Sequence, residues 1–350
     1  MVLPAATALA IGTLGGAVFA WLGLPLPWML GSMTAVTVCA LGGVRVGLPR
    51  WMRTGCIAIL GVMLGASFTP AAMARLPDWG ATLSALFVFA MAAGTAGWLY
   101  FRRCAGFDRV TAFFAAAPGG LNEMVLVGTR YGGDERRIAL VHATRVFVTV
   151  FSIPVWFRLH DGLAAGTAGS RYTGLAAIGL DDYVALAACA LVGSILAARL
   201  RIPAATVIGP MFLSAAVHLA GITESSPPTL IVWSAQVVIG ATLGCRFMGF
   251  PLRLIGKTIM HGAVAGVILV GCAVLASVVL TQVVDIPFAT LLLGFAPGGL
   301  PEMSLVAIAM GADAAFVATH HLVRLVIVVL CAAPIFRALP AEDRSGSAPP

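Results

Sequence analysis

Apolar residues run along this chain in stretches of about 20, divided by short segments that hold most of the Arg and Asp residues. Stretches of that length match helices crossing a hydrocarbon core of roughly 30 Å. They predict helices at about 4–23, 27–43, 54–70, 79–101 and 138–157, with a segment at 109–131 that a Gly-Gly pair interrupts. The series returns at about 182–198, 203–221, 228–245, 258–282 and 314–336, with an interrupted segment at 287–310.

The two series are copies of one another. APGGLNEM at 117–124 recurs as APGGLPEM at 296–303, an offset of 179, and 14 of 29 positions agree between 117–145 and 296–324. The agreement reaches Gly132/Gly311, Asp134/Asp313, His142/His321 and Arg145/Arg324, more than shared apolar composition supplies. Upstream, Gly61-x-x-x-Gly65 matches Gly240-x-x-x-Gly244, and Pro25 with Gly31 matches Pro203 with Gly209. The glycine pairs permit close helix contact.

Composition identifies the solvent. With 60% hydrophobic residues, 10% charged and a mean hydropathy of +1.01, the chain could not present a water-facing surface, so the fold is expected in lipid. The apolar start lacks a basic leader and has a counterpart in the second half, which reads as a retained helix. The net charge of +7 forms no continuous basic face or reader motif, so no direct nucleic-acid partner is expected. Seven scattered cysteines show no paired spacing and no histidine at ligand distance; neither a metal nor a cofactor is expected.

Positive charge arbitrates the topology. If each broken segment dips in and returns, each half crosses five times and the second half is inverted. With the N-terminus inside, 16 basic residues, among them Arg53, Arg130, Arg246 and Arg337, fall on the cytoplasmic side. Three (Arg75, Arg158 and Arg171) fall outside, and Arg145 and Arg324 stay in the membrane. If the broken segments cross, the count is ten against nine, which is no bias. The expected fold is an all-α integral membrane protein of two inverted repeats, each with five transmembrane helices and one re-entrant broken helix, about ten transmembrane helices in all. The repeats span 1–158 and 182–338, joined by an extracytoplasmic linker at 159–181 and followed by a disordered cytoplasmic tail at 339–350. Both termini are expected in the cytoplasm and the protein in the bacterial cytoplasmic (inner) membrane.

A charge in hydrocarbon costs roughly 2.5–3.5 kcal/mol even on the lenient scale, so those that persist there are functional candidates. Of the 14 acids, 12 fall in loops or at helix ends; Glu123 and Glu302, equivalent positions of the repeated motif, remain. The intramembrane bases are Arg145 and Arg324, each three residues after His142 or His321 and so on one helix face with it. Pro118-Gly119-Gly120 and Pro297-Gly298-Gly299 break the helix, and Pro301 fits only the first turn of a new one, which should begin near Leu300. Asn122 faces Pro301 in the alignment, so any polar role for it is one-sided. Asp134 and Asp313 read as turn residues.

Irregular backbone at such depth survives only when buried in protein or lining a water-filled cavity. Broken helices from inverted repeats, meeting near the midplane, are how secondary transporters hold solute and coupling ion. The residues thus point to a transporter of a small, anionic solute coupled to H+ or Na+, in a lipid bilayer, with no enzymatic activity. Glu123 and Glu302 would serve the coupling ion, Arg145 and Arg324 the solute anion or a counter-ion, and the Pro-Gly-Gly backbones the binding tips. Alternatively, each Glu caps its half-helix and is neutralised by its Arg. A homo-oligomer is compatible with this reading.

The doubled APGGLxEM motif, the helix beginning PAATVIGPMF at 203–212 and the Gly-x-x-x-Gly helix after it resemble the bacterial membrane AbrB duplication family, over about residues 5–337. That family is distinct from the small soluble DNA-binding fold of similar name. Its members carry labels as regulators of gene expression and, by an older transfer of names, as ammonia monooxygenase. The resemblance therefore implies an alternative function, a membrane-embedded regulatory or sensor protein acting through a partner. Pro27-Trp28 and Ser32 stand where Ala205-Thr206 and Pro210 occur, so the two helix pairs there are not strict copies.

Overall fold

The computed structural model describes residues 2–161, 173–248 and 252–339, which are helical, with no strand among them. The first half comprises α1 (Val2–Trp21), α2 (Pro27–Leu41), α3 (Arg50–Gly65), the short α4 (Pro70–Ala74), α5 (Gly80–Arg103), α6 (Arg109–Ala116), α7 (Leu121–Arg130) and α8 (Glu135–Asp161). The second comprises α9 (Leu180–Arg199), α10 (Ala205–Leu219), α11 (Thr229–Cys245), α12 (Leu252–Leu280), α13 (Phe288–Phe295), α14 (Leu300–Ala309) and α15 (Ala314–Ala338). Apart from α4, the halves correspond helix for helix, with paired lengths such as 8 and 8 residues for α6 and α13, and 10 and 10 for α7 and α14. Residues 162–172 of the predicted linker and 340–350 of the predicted tail lie outside the described residues, as does the Arg253 side chain.

Local chemistry sets the boundaries. Asp108, Asp134 and Asp313 accept from the backbone N–H three residues on, at 2.9, 3.1 and 3.0 Å, capping α6, α8 and α15. Gly132 and Gly311, at φ +88° and +67°, make the turns before α8 and α15. The turn reading of Asp134 and Asp313 thus agrees with the structure. Leu26 and Ala204 hold left-handed backbone, φ 44° and 50°, at equivalent positions before α2 and α10. A non-glycine residue there costs roughly 1–2 kcal/mol, so the halves share even a strained entry.

Among the described residues, six helices are long and apolar enough to cross a membrane: α1, α5 with the turn before it, α8, α9, α12 and α15. They form three equivalent pairs. Leu14 and Val18 on α1, Leu191 and Ile195 on α9, and Val267 and Leu275 on α12 are exposed, an apolar exterior that only lipid solvates. The chain is a membrane protein. Helices α2, α3, α10 and α11, of 15 to 17 residues, are shorter, about 23–26 Å at 1.5 Å per residue.

The short helices occupy the middle of a row in which neighbours pack in the order α1, α2, α11, α3, α10, α9. Glycine sets the spacing. A methyl on Gly61 would fall on the Val207 carbonyl, one on Gly65 on the Met211 carbonyl and one on Gly240 on the Met29 carbonyl, while one on Gly244 would meet the Val36 side chain and the Thr37 backbone nitrogen. Contacts advance together along both chains, so α3 runs parallel to α10 and α11 to α2. Alongside the row, α5 packs on α6 and α15, and α12 on α13 and α8, while each pair of half-helices lies against the last helix of its own half.

Candidate functional site

The interrupted segments become two hairpins of half-helices, α6–α7 and α13–α14. Each Pro-Gly-Gly linker ends the first half-helix, because proline supplies no N–H and Gly119 and Gly298 bring the backbone against Val328 and Met303, where a side chain would clash. The second half-helix then starts at Leu121 and at Leu300, the latter where Pro301 requires it.

The histidine and arginine of each half hold the linker through the same atoms. His142 Nε2 donates to the Phe114 carbonyl and His321 Nε2 to the Leu293 carbonyl, each at 2.9 Å. Arg145 donates to the carbonyls of Ala117 (2.9 Å) and Gly119 (3.4 Å); Arg324 donates to Phe295 (3.3 Å), Ala296 (2.5 Å) and Gly298 (2.8 Å). Both arginines also donate to Nδ1 of their histidine, at 2.9 and 3.1 Å. A ring nitrogen that accepts from guanidinium carries no proton, so both imidazoles are neutral with hydrogen on Nε2. The guanidinium positive charges sit at the C-terminal ends of α6 and α13, where the helix dipole is negative.

Each glutamate turns back on the start of its own half-helix: a methyl on Gly120 or Gly299 would collide with Oε2 of Glu123 or Glu302. Both occupy the third helical position, where a carboxylate meets free backbone N–H groups. No ion pair joins Glu123 to Arg145 or Glu302 to Arg324 among the described residues. The expected Glu–Arg neutralisation is absent because the arginines are committed to linker carbonyls. Burial separates the copies, since Glu302 is 9% exposed whereas Glu123 is half-buried and Asn122 exposed.

Between the tips lies a cavity of about 220 Å³. Twelve of the thirteen candidate residues line it; Pro297 is buried behind it. The first turns of α7, α10 and α14 enter it, presenting Leu121 to Glu123, Thr206 and Val207, and Leu300 to Glu302. Sequence reasoning missed Arg53 and Arg246, which line the same space from the start of α3 and the end of α11 and were counted only as topology charges. A signal was available, because helices of 16 and 17 residues are shorter than a roughly 30 Å core requires. Neither arginine has a hydrogen-bond or ion-pair partner among the described residues, and the charges of both act on Glu302. His320, adjacent to His321, is used elsewhere: it is buried against Phe316 and bonds Thr82 at 2.9 Å. A second cavity, of about 210 Å³ between α5 and α15, has an apolar wall and no charged side chain.

The sequence matches the family model described as "Transition state regulatory protein AbrB" over residues 28–340. It is 27% identical to "Uncharacterized protein YhjN" of Bacillus subtilis (strain 168), covering 95% of this chain and 92% of that one. It is 25% identical to "Putative regulator AbrB" of Escherichia coli (strain K12), covering 90% of each. No solved structure matches it significantly.

Proposed function

From the premise that this chain belongs to the AbrB family, we propose that it is a secondary transporter that binds a small anionic solute and a coupling ion, H+ or Na+, between its two Pro-Gly-Gly tips. One observation carries the reading: two copies of a broken helix, far apart in sequence, face one charged cavity in a membrane protein. Neither enzymatic chemistry nor direct nucleic-acid binding is part of the proposal.

The reading includes ten crossings and inverted halves, which several contacts support. Arg109, at the start of α6, bonds the Phe336 and Leu339 carbonyls, and Tyr131, at the end of α7, accepts from Arg337 at 2.7 Å. Both ends of the broken segment therefore meet the same end of α15, as a re-entrant hairpin requires. Arg75 pairs with Asp313 at 3.3 Å, and Arg158 reaches the Leu22 carbonyl at 3.4 Å; each contact joins ends that the inverted arrangement places outside. Helix direction agrees. Arg53 and Arg246 line one cavity and α3 packs on α11, which puts the start of α3 beside the end of α11. Since α11 is parallel to α2 and α3 to α10, α2 and its copy α10 run oppositely.

The test is a solute screen on protein reconstituted in vesicles, with Glu123→Gln and Glu302→Gln. Coupled flux should appear in the parent and lose its ion dependence in at least one variant. Flux that keeps its ion dependence in both would refute the coupling role. A second reading, a membrane regulator acting through a cytoplasmic partner on basic loops such as 45–53 or 130–137, rests on the name of the Escherichia coli relative. It predicts partner capture without flux.

A further inference from the structure

We propose that the solute is a small organic dianion, a dicarboxylate, and that Arg53 and Arg246 are the side chains that select its charge. The inference rests on the transport reading and names its substrate class. The charged side chains around the cavity are Arg53, Arg145, Arg246 and Arg324 against Glu123 and Glu302; with all six ionised, four positive and two negative charges leave two positive. Both histidines are neutral by their hydrogen bonds. Before any coupling ion binds, therefore, an occupant must carry at least two negative charges to neutralise the site.

Location assigns the excess. Arg145 and Arg324 spend their donors on linker carbonyls and oppose the negative ends of α6 and α13. Arg53 and Arg246 have no partner among the described residues and enter the same space. A guanidinium with free donors matches a carboxylate in a two-pronged geometry. The start of α10, which no acidic side chain caps, also faces the cavity and adds backbone N–H groups that favour an anion.

The remaining wall argues for a carbon skeleton. Ile57, Val146, Val207, Ile239, Leu243 and Leu325 alternate with the charges, a lining that matches methylene groups better than a bare inorganic ion. A volume of about 220 Å³ admits a chain of a few carbons with its two carboxylates.

The experiment measures binding of succinate, butyrate and sulfate to the purified full-length protein at low ionic strength, and flux of the same probes in vesicles. Succinate should bind saturably, with butyrate and sulfate roughly tenfold or more weaker. Arg53→Gln and Arg246→Gln should each weaken succinate by roughly tenfold or more and narrow its margin over butyrate. If either Gln variant fails to fold, the Lys variant should fold and retain part of the affinity, since it keeps charge and loses the planar fork. Equal affinity for sulfate and succinate would overturn the organic class, and unchanged succinate affinity in both arginine variants would overturn their role. If succinate does not bind but the wider screen finds Glu-dependent flux of another solute, this inference fails and the transport reading stands. If no solute moves at all, both fail.

Discussion

At the scale of single residues, the two arginines bonded to the linkers and the two that only line the cavity do different work despite identical chemistry. Arg145 and Arg324 convert the loose carbonyls of a broken helix into a fixed turn, which a point charge on a flexible stem does poorly. Arg145→Lys and Arg324→Lys should therefore lower stability, by roughly 1–3 kcal/mol each, with the larger loss at Arg324, which makes three carbonyl bonds against two. Thermal unfolding in detergent checks this, and a Lys variant as stable as the parent would show that the fork is not what holds the turn. The glycines under the glutamates allow a second measurement. Gly299→Ala pushes a methyl onto Glu302 Oε2, so it should destabilise the parent yet cost much less in a Glu302→Ala background. Additive losses across that double-mutant cycle would mean that the methyl acts on something other than the carboxylate.

The helices are where the sequence was most legible. Runs of apolar residues, the Pro-Gly-Gly interruption and Pro301 predicted the observed order, including the start of α14 at Leu300. The place of Arg53 and Arg246 in the cavity was less legible, because hydropathy registers an arginine at a helix end as a loop charge. The partners of Arg145 and Arg324 were hidden for another reason: a linker carbonyl is available to any nearby donor, and nothing in residue type marks it against a carboxylate. Glycine roles divide in the same way. Gly55 and Gly61 both lie in α3, but a methyl on Gly55 meets nothing while one on Gly61 meets the backbone of α10. Gly55→Ala should be neutral or stabilising by up to about 1 kcal/mol. Gly61→Ala should cost roughly 1–3 kcal/mol through forced separation of α3 and α10. Comparable unfolding temperatures for the two variants would contradict the close approach.

For the whole molecule, the decisive property is that equivalent helices are proposed to run in opposite directions, and this has a direct consequence at the membrane surfaces. Arg75 precedes α5 and Arg130 ends α7, and both are exposed. If the broken segments returned on themselves, the two residues would lie on opposite sides; if they crossed, both would lie outside. In a background with all seven native cysteines replaced, Arg75→Cys and Arg130→Cys should react with a membrane-impermeant maleimide from opposite sides of intact cells or oriented vesicles. Reaction of both from one side would remove the inverted arrangement. The transport reading would then lose its structural basis, since one cavity reached by two copies of a tip from opposite faces is what lets a solute be passed from one side to the other. The unequal burial of Glu123 and Glu302, copies of one position, belongs to this same scale. On the transport reading the chain alternates between two states, and in the other state the two glutamates should exchange their exposure.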